Sequence, residues 1–107
     1  MRAEEAVEAR ITVTRSSPED IQDRQVIVTL DDERFATLTY GRSATRVVAP
    51  GLHTLRVDNT WNKQTIRFQI APGEHLRFRT INRAGRFTSF LASFGAGPMY
   101  VSIEREL

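Results

Sequence analysis

Apolar and polar residues alternate along most of this chain with a period of two, which is the pattern of a strand that buries one face. The clearest case is the segment 25–30, in which Val26, Val28 and Leu30 share one face. Further strand-like segments follow at short spacing, at 10–15, 35–39, 45–48, 53–58, 63–70, 75–81 and 99–104. About eight short strands at such spacing predict an all-β fold, a two-layer antiparallel β-sandwich.

The segments between the predicted strands carry turn residues. The phrase Ala-Pro-Gly-x-His occurs twice, at 49–53 and at 71–75, and each copy opens a strand. Pro-Gly suits the central positions of a type II turn, because proline presets φ and glycine accepts a positive φ. Asp31, Asp32 and Glu33 stand between two strands, and acidic residues are common at hairpin tips. We therefore expect strands that are joined mostly by tight turns.

One segment breaks the alternation and predicts a short helix at about 86–94. Its apolar residues lie at i, i+3, i+4 and i+7, which is one face of an α-helix: Phe87, Phe90, Leu91 and Phe94. A glycine follows where such a helix would end, and Gly97-Pro98 would prevent it from resuming. The helix would close the core as a lid, or it would stay exposed and dock onto a partner or a membrane surface.

Length and composition describe an ordinary globular chain. Its 107 residues, 40% of them hydrophobic, suffice for one domain with a core. We expect residues 1–9 to be a flexible lead-in and residues 10–107 to form a single domain. The chain has no cysteine, which excludes disulfides, thiolate metal sites and cysteine nucleophiles. It has no long apolar stretch and no signal-peptide pattern at its start, so we expect a cytoplasmic protein.

Two segments carry a resemblance to a known family. Residues 26–32, a strand that ends in an acidic turn, and residues 49–57, a Pro-Gly-x-His-x-Leu-x-Val strand, resemble the PEGA-type bacterial β-sandwich domains. The chain is also similar to small bacterial sandwich proteins of uncharacterised function that add an apolar segment and a last strand, as at 87–94 and 97–105. The resemblance covers residues 10–105. It implies an immunoglobulin-like or carboxypeptidase-regulatory-like sandwich that serves as an accessory module and brings no catalytic residue.

Histidines and carboxylates do not form a recognisable catalytic or metal-binding set. His53 and His75 occupy equivalent places after the two Pro-Gly pairs, but zinc would need at least a third protein ligand. Glu74 and Asp58 are the only candidates near them in sequence, and nothing indicates that they converge. The chain has neither a Gly-x-Ser-x-Gly motif nor a phosphate-binding glycine loop. We therefore expect no enzyme, no cofactor and no metal, with each histidine either stabilising a turn or half-buried at the start of its strand.

Arginines supply the one constellation that indicates a ligand. The net charge is only +2, and Lys63 is the sole lysine among 15 basic residues. Four arginines fall on the polar side of three successive strands, and Trp61 lies in a loop between them: Arg56, Arg67, Arg77 and Arg79. If these strands were neighbours in one sheet, the arginines would form one basic face able to bind phosphate or carboxylate, with Trp61 stacking beside it. An ordinary solvated sheet face is the alternative interpretation.

The sequence therefore favours a non-enzymatic accessory or interaction module whose expected partner is a protein. The alternative is a module that binds an anionic ligand, such as nucleic acid, an acidic glycan or a lipid headgroup, through an arginine-rich sheet face. Docking through the helical stripe adds a membrane surface or a second copy of the chain to the candidate partners.

Overall fold

The structure is a computed structural model that describes residues 8–84 and 99–106. These residues form eight strands: β1 (Ala9–Thr14), β2 (Val26–Leu30), β3 (Glu33–Leu38), β4 (Ser43–Val48), β5 (Gly51–Asp58), β6 (Lys63–Ile70), β7 (His75–Ala84) and β8 (Met99–Arg105). Within the described ranges no helix is present that is long and apolar enough to cross a membrane. The predicted helix at 86–94, with Phe87, Phe90, Leu91 and Phe94, lies outside the described residues and stays a prediction.

The strands form two four-stranded sheets, which confirms the all-β prediction. Sheet A has the order β4-β1-β7-β8, and sheet B has the order β3-β2-β5-β6. Five of the six strand pairs are antiparallel, but β1 and β7 run parallel, with Ile11 opposite Leu76. The expectation of antiparallel pairing throughout therefore does not hold. The reason is that β1 lies between β4 and β7, which run in opposite directions, so β1 must be parallel to one of them.

Both sheets contribute to one hydrophobic core, which includes buried side chains from all eight strands. The rings of Phe68 in sheet B and Phe78 in sheet A lie 5.1 Å apart, and both side chains are buried. The core begins at Ala9, which is fully buried in β1 although it falls within the predicted lead-in 1–9. The alternation in the sequence therefore identified the residues that face inward along the strands.

Both copies of the Ala-Pro-Gly-x-His phrase lie where the chain passes from one sheet to the other. The first connects β4 of sheet A to β5 of sheet B, and the second connects β6 of sheet B to β7 of sheet A. At the second copy, Gly73 has a φ of 75°, and the Glu74 N–H donates to the Ala71 carbonyl at 3.1 Å, as in the predicted type II turn. Gly51 in the first copy has a φ of 130° and already belongs to β5. The repeated phrase thus marks crossings between sheets.

Candidate functional site

The four arginines predicted to share a face lie on two different sheets. Arg56 and Arg67 belong to β5 and β6 of sheet B, whereas Arg77 and Arg79 belong to β7 of sheet A. The expectation of one basic face formed by all four therefore does not hold. The chain changes sheets at the turn between β6 and β7. The outward-facing residues of β5 and β6 therefore lie on one surface, and those of β7 lie on another.

Sheet B nevertheless has a basic outer face that includes an arginine not singled out from the sequence. Paired residues of antiparallel strands place their side chains on the same side of a sheet. One row crosses all four strands of sheet B in the order Arg34, Thr29, Arg56 and Thr65. Arg67 lies two residues beyond Thr65 on β6, opposite Thr54. The basic face consists of these six residues: Arg34, Arg56 and Arg67 with Thr29, Thr54 and Thr65.

The arginines of the basic face have no carboxylate partner among the described residues. Ion pairs in this part of the chain involve other basic residues: Arg15, Arg46, His53, Arg79, Arg83 and Arg105. The Nε of Arg56 is buried and has no hydrogen-bond acceptor within the described ranges. Lys63 lies opposite Asp58 on the same side of the sheet, and these two charges offset each other. Sheet B therefore presents three uncompensated guanidinium groups.

The predicted residues on sheet A and in the loop have other surroundings. Arg79 forms an ion pair with Glu104 at 3.0 Å, and Arg83 contacts the same carboxylate at 3.1 Å. Hydrogen bonds from Arg79 and Arg83 hold the pKa of Glu104 below its usual value. Arg77 is exposed and lies opposite Thr12. Trp61 is 53% exposed, and the Arg24 guanidinium lies 5.1 Å from the centre of its ring, which is cation–π geometry.

A buried ion pair joins Arg15 and Asp20, two residues that the sequence pattern did not identify. Two guanidinium nitrogens of Arg15 donate to the carboxylate, Nε at 3.0 Å and Nη2 at 3.1 Å, and both side chains have no exposed surface. The remaining N–H groups of Arg15 donate to the carbonyls of Asp23, Arg24 and Leu38. All five donors of the guanidinium are therefore satisfied within the fold. The pair fixes the connection between β1 and β2 against the end of β3.

The Asp20 carboxylate is equally well bonded. It also accepts the backbone N–H of Gln22 at 2.6 Å and of Asn82 at 3.0 Å. Burial disfavours the charged form of Asp20, but the hydrogen bonds from Arg15 and from these two N–H groups hold its pKa below 3.8. No donor of Arg15 remains for a ligand, so this pair stabilises the fold and does not form a binding site.

His53 connects a hairpin turn to the crossing between the sheets. Its Nδ1 lies 2.5 Å from Asp31 Oδ2, and its Nε2 lies 2.6 Å from the Ala49 carbonyl oxygen. Because a carboxylate and a carbonyl oxygen accept hydrogen bonds, this geometry favours the protonated ring, in which both nitrogens donate. Asp31 and Asp32 have φ values of 49° and 67°, the sign that a type I′ turn needs at both positions. His53 thus holds a turn in place, as expected from the sequence.

Protonation of His53 and ionisation of Asp31 favour each other. Partial burial opposes the charged form of His53, but the Ala49 carbonyl and the Asp31 carboxylate raise the pKa of the ring above 6.5. Burial likewise opposes ionisation of Asp31, whereas hydrogen bonds from His53 and from the Thr54 N–H lower the pKa of its carboxyl. The contact is therefore strongest when His53 is protonated and Asp31 is ionised.

Replacing His53 with glutamine should lower the free energy of unfolding by about 1–2 kcal/mol at about pH 6, because a charged hydrogen bond is lost. The wild-type advantage is complete below the unfolded pKa of histidine and disappears as the pH rises through the raised folded pKa. Thermal unfolding of both proteins between about pH 6 and about pH 9 measures this difference. His75→Gln is the matched control, and a His53 advantage that grows with pH would contradict the assignment.

An open cleft of about 270 Å³ lies beside His53. It is lined by several ionisable side chains, among them Asp31, Glu33 and Arg46. Arg46 lies 3.8 Å from the Glu33 carboxylate. Both ring nitrogens of His53 are already engaged, one by Asp31 and the other by the Ala49 carbonyl. The cleft therefore offers charged groups but no available histidine base.

The two histidines lie on different sheets and do not form a joint site. His53 belongs to β5 of sheet B, whereas His75 belongs to β7 of sheet A and contacts the Thr12 hydroxyl at 2.7 Å. In the described ranges, no group of three or more histidine and acidic residues is arranged to hold a metal ion. The basic face is therefore the strongest candidate site in this part of the chain.

A scan against protein-family models and a search of curated proteins find no match to this chain. The resemblance to PEGA-type domains therefore stays a prediction.

Proposed function

We propose that this chain is a non-enzymatic interaction module with an immunoglobulin-like two-layer sandwich, and that it binds an anionic partner through the basic face. The observation that carries the proposal is the row Arg34, Thr29, Arg56 and Thr65 with Arg67 beside it, in which no described carboxylate compensates the arginines. Guanidinium groups bind phosphate, sulfate and carboxylate oxygens through two parallel hydrogen bonds. The exposed hydroxyl of Thr65 supplies a further donor to the same oxygens, whereas Thr29 is buried between Arg34 and Arg56.

The shape of the surface favours an extended ligand over a small one. The basic face lies on the outer side of a sheet, and its main row spans four strands, roughly 15 Å at the usual spacing between strands. Arg34 and Arg56 stand two strands apart, and Arg56 and Arg67 are diagonal neighbours. Guanidinium groups spread in this way match a chain that carries several anionic groups better than a single ion. The proposed ligand is therefore a polyanion with phosphate or sulfate groups.

The variant Arg34→Gln/Arg56→Gln/Arg67→Gln should lose at least about tenfold in affinity for single-stranded DNA or heparin. The slope of log affinity against log salt should also become shallower by about 2, because each lost phosphate contact contributes about 0.7. Binding is measured by fluorescence anisotropy at several salt concentrations. Circular dichroism checks that the variant is folded.

The matched control is Arg10→Gln/Arg42→Gln/Arg77→Gln, which removes three exposed arginines outside sheet B. Both triple variants change the net charge from +2 to −1, since each loses three positive charges. The control should keep most of the affinity if the basic face is the site. Equal losses in the two variants would show that net charge alone matters and would overturn the proposal. Separate measurements with DNA, heparin and anionic vesicles distinguish nucleic acid, glycan and lipid as sources of the anionic groups.

A further inference from the structure

The edges of the two sheets differ in how they are protected. An edge strand presents unpaired backbone N–H and C=O groups that can pair with another strand, and proteins commonly block such edges. The edge strands are β4 and β8 in sheet A and β3 and β6 in sheet B. Three of these four strands carry a bulge, charges on the outer face or side-chain bonds that hinder pairing, and β4 has only Arg46, which contacts Glu33.

The edge of β8 is closed by side-chain amides of β6 and of the loop that precedes it. The N–H of Val101 donates to the Asn62 side-chain oxygen at 3.0 Å, and the N–H of Ile103 donates to the Gln64 side-chain oxygen at 2.7 Å. These donors point away from β7, because the neighbouring ladder bonds, such as the Glu106 N–H to the Arg77 carbonyl, use the alternate residues. Another strand would have to displace both amides in order to pair with β8.

The edges of sheet B are protected by charge and by irregularity. β6 carries Lys63 and Arg67, and charged side chains on an edge strand disfavour the addition of a further strand. On β2, Thr29 pairs with Arg34 of β3, and Val28 pairs with Ala36. Phe35 of β3 is therefore an extra residue and forms a bulge. A bulge bends the edge and interrupts a regular ladder.

The edge of β4 is regular. The side chains on its outer face are uncharged, whereas Arg46, whose side chain is 40% exposed, lies on the same face as the buried Val48, 3.8 Å from Glu33. The Arg15 N–H donates to the Arg42 carbonyl at 2.9 Å, which shows which residues of β4 bond to β1. Because the ladder alternates, the N–H and C=O groups of Ser43, Thr45 and Val47 point away from β1. All three side chains are exposed, Val47 by 51%, and no described strand pairs with this edge.

We propose that two copies of this chain pair through β4, antiparallel and about a two-fold axis at Thr45. The occupant is a second copy because the strand is complementary to itself in this register. Thr45 faces its own counterpart, Val47 faces Ser43, and Arg46 faces Ala44, so no like charges stand directly opposite. The alternation of the ladder provides about six backbone hydrogen bonds across the two-fold axis. Sheet A then continues as eight strands through the dimer.

The same symmetry has a consequence for the basic face. The two-fold axis between antiparallel neighbours is perpendicular to their sheet, so both copies of sheet B lie on the same side of the extended sheet A. Their basic faces then point in one direction. The pairing through β4 itself does not depend on the proposed function, because it involves no residue of the basic face.

The test is the mass of the protein in solution. Light scattering after size exclusion should give about 24.4 kDa, twice the chain mass of 12.2 kDa. Val47→Lys places a charge on the β4 edge and should yield the 12.2 kDa monomer. Leu52→Lys is the matched control, since Leu52 is 61% exposed on β5, which is not an edge strand, and this variant should remain a dimer. A monomeric wild type at roughly 100 μM, a dimeric Val47→Lys or a monomeric Leu52→Lys would each overturn the inference.

Amide hydrogen exchange provides a test that needs no variant. The N–H groups of Thr45 and Val47 should exchange slowly in the dimer and faster as the protein is diluted. Fast exchange of both groups at high concentration would overturn the inference. Slow exchange that does not change on dilution would also overturn it, because another part of the same chain would then cover the edge.

Discussion

Replacing Arg15 with methionine should destabilise the domain by about 3–5 kcal/mol, because the change leaves the carboxylate of Asp20 buried without its cation. Three backbone carbonyls would lose their donors at the same time. A domain of this size has a total stability of about 5–15 kcal/mol, so the variant should be only marginally folded at 25 °C. Urea unfolding followed by circular dichroism measures the loss. The control Arg42→Met removes an exposed arginine and should change stability by less than about 0.5 kcal/mol.

A double-mutant cycle separates the pair from its surroundings. Asp20→Asn removes the buried negative charge, so Arg15→Met/Asp20→Asn should be less destabilised than the sum of the two single variants. The lowered pKa of Asp20 adds a dependence on pH: its contribution is complete above about 3.8 and is lost as the pH falls through the folded pKa. Arg15→Met should therefore lose less stability than the wild type on acidification. A loss below about 1 kcal/mol in Arg15→Met would contradict the buried ion pair.

Replacing Phe78 with alanine should also cost about 3–5 kcal/mol, because the ring fills the space between the two sheets. Phe78 is 1% exposed in sheet A, and its ring contacts that of Phe68 in sheet B. The truncation would leave a cavity at the centre of the core and remove an aromatic pair. Denaturant unfolding of the variant measures the change in stability.

Phe35→Ala is the matched control for this prediction. Phe35 is only partly buried, packs against the core and lies 5.9 Å from the Arg46 guanidinium. Its truncation opens a surface that solvent can fill, so we expect a cost of about 1–2 kcal/mol. If the two truncations had equal costs, the ring of Phe78 would not be the centre of a core shared by both sheets.

Local patterns in the sequence were sufficient to identify the strands and several turns. Alternation marks the inward side of a strand, because successive side chains point to opposite faces whatever the strand pairs with. The segment 25–30 was predicted as a strand, and β2 spans Val26–Leu30. The turn at 71–74 also depends on neighbours in sequence and could be predicted, whereas the contact of His53 with Asp31 joins residues 22 positions apart and depends on the fold.

The composition of the candidate site could not be predicted in this way. Which sheet a strand joins depends on pairing between distant segments. The alternation of polar and apolar residues looks the same whichever sheet the strand joins. Arg77 and Arg79 were therefore grouped with Arg56 and Arg67, although β7 pairs with β1 in sheet A. Arg34 was overlooked because it joins the basic face only through β2 and β5.

The sequence alone thus determined where the chain forms strands and which side of each strand is apolar, because these properties follow from local periodicity. Only the tertiary structure decided which strands are neighbours, and with that the members of the basic face. It also decided that Arg15 and Asp20 are buried, since their burial arises when the connection after β1 packs against β3 and β7. Long-range pairing selects one arrangement from many that share the same local pattern, and that selection creates the surfaces available for binding.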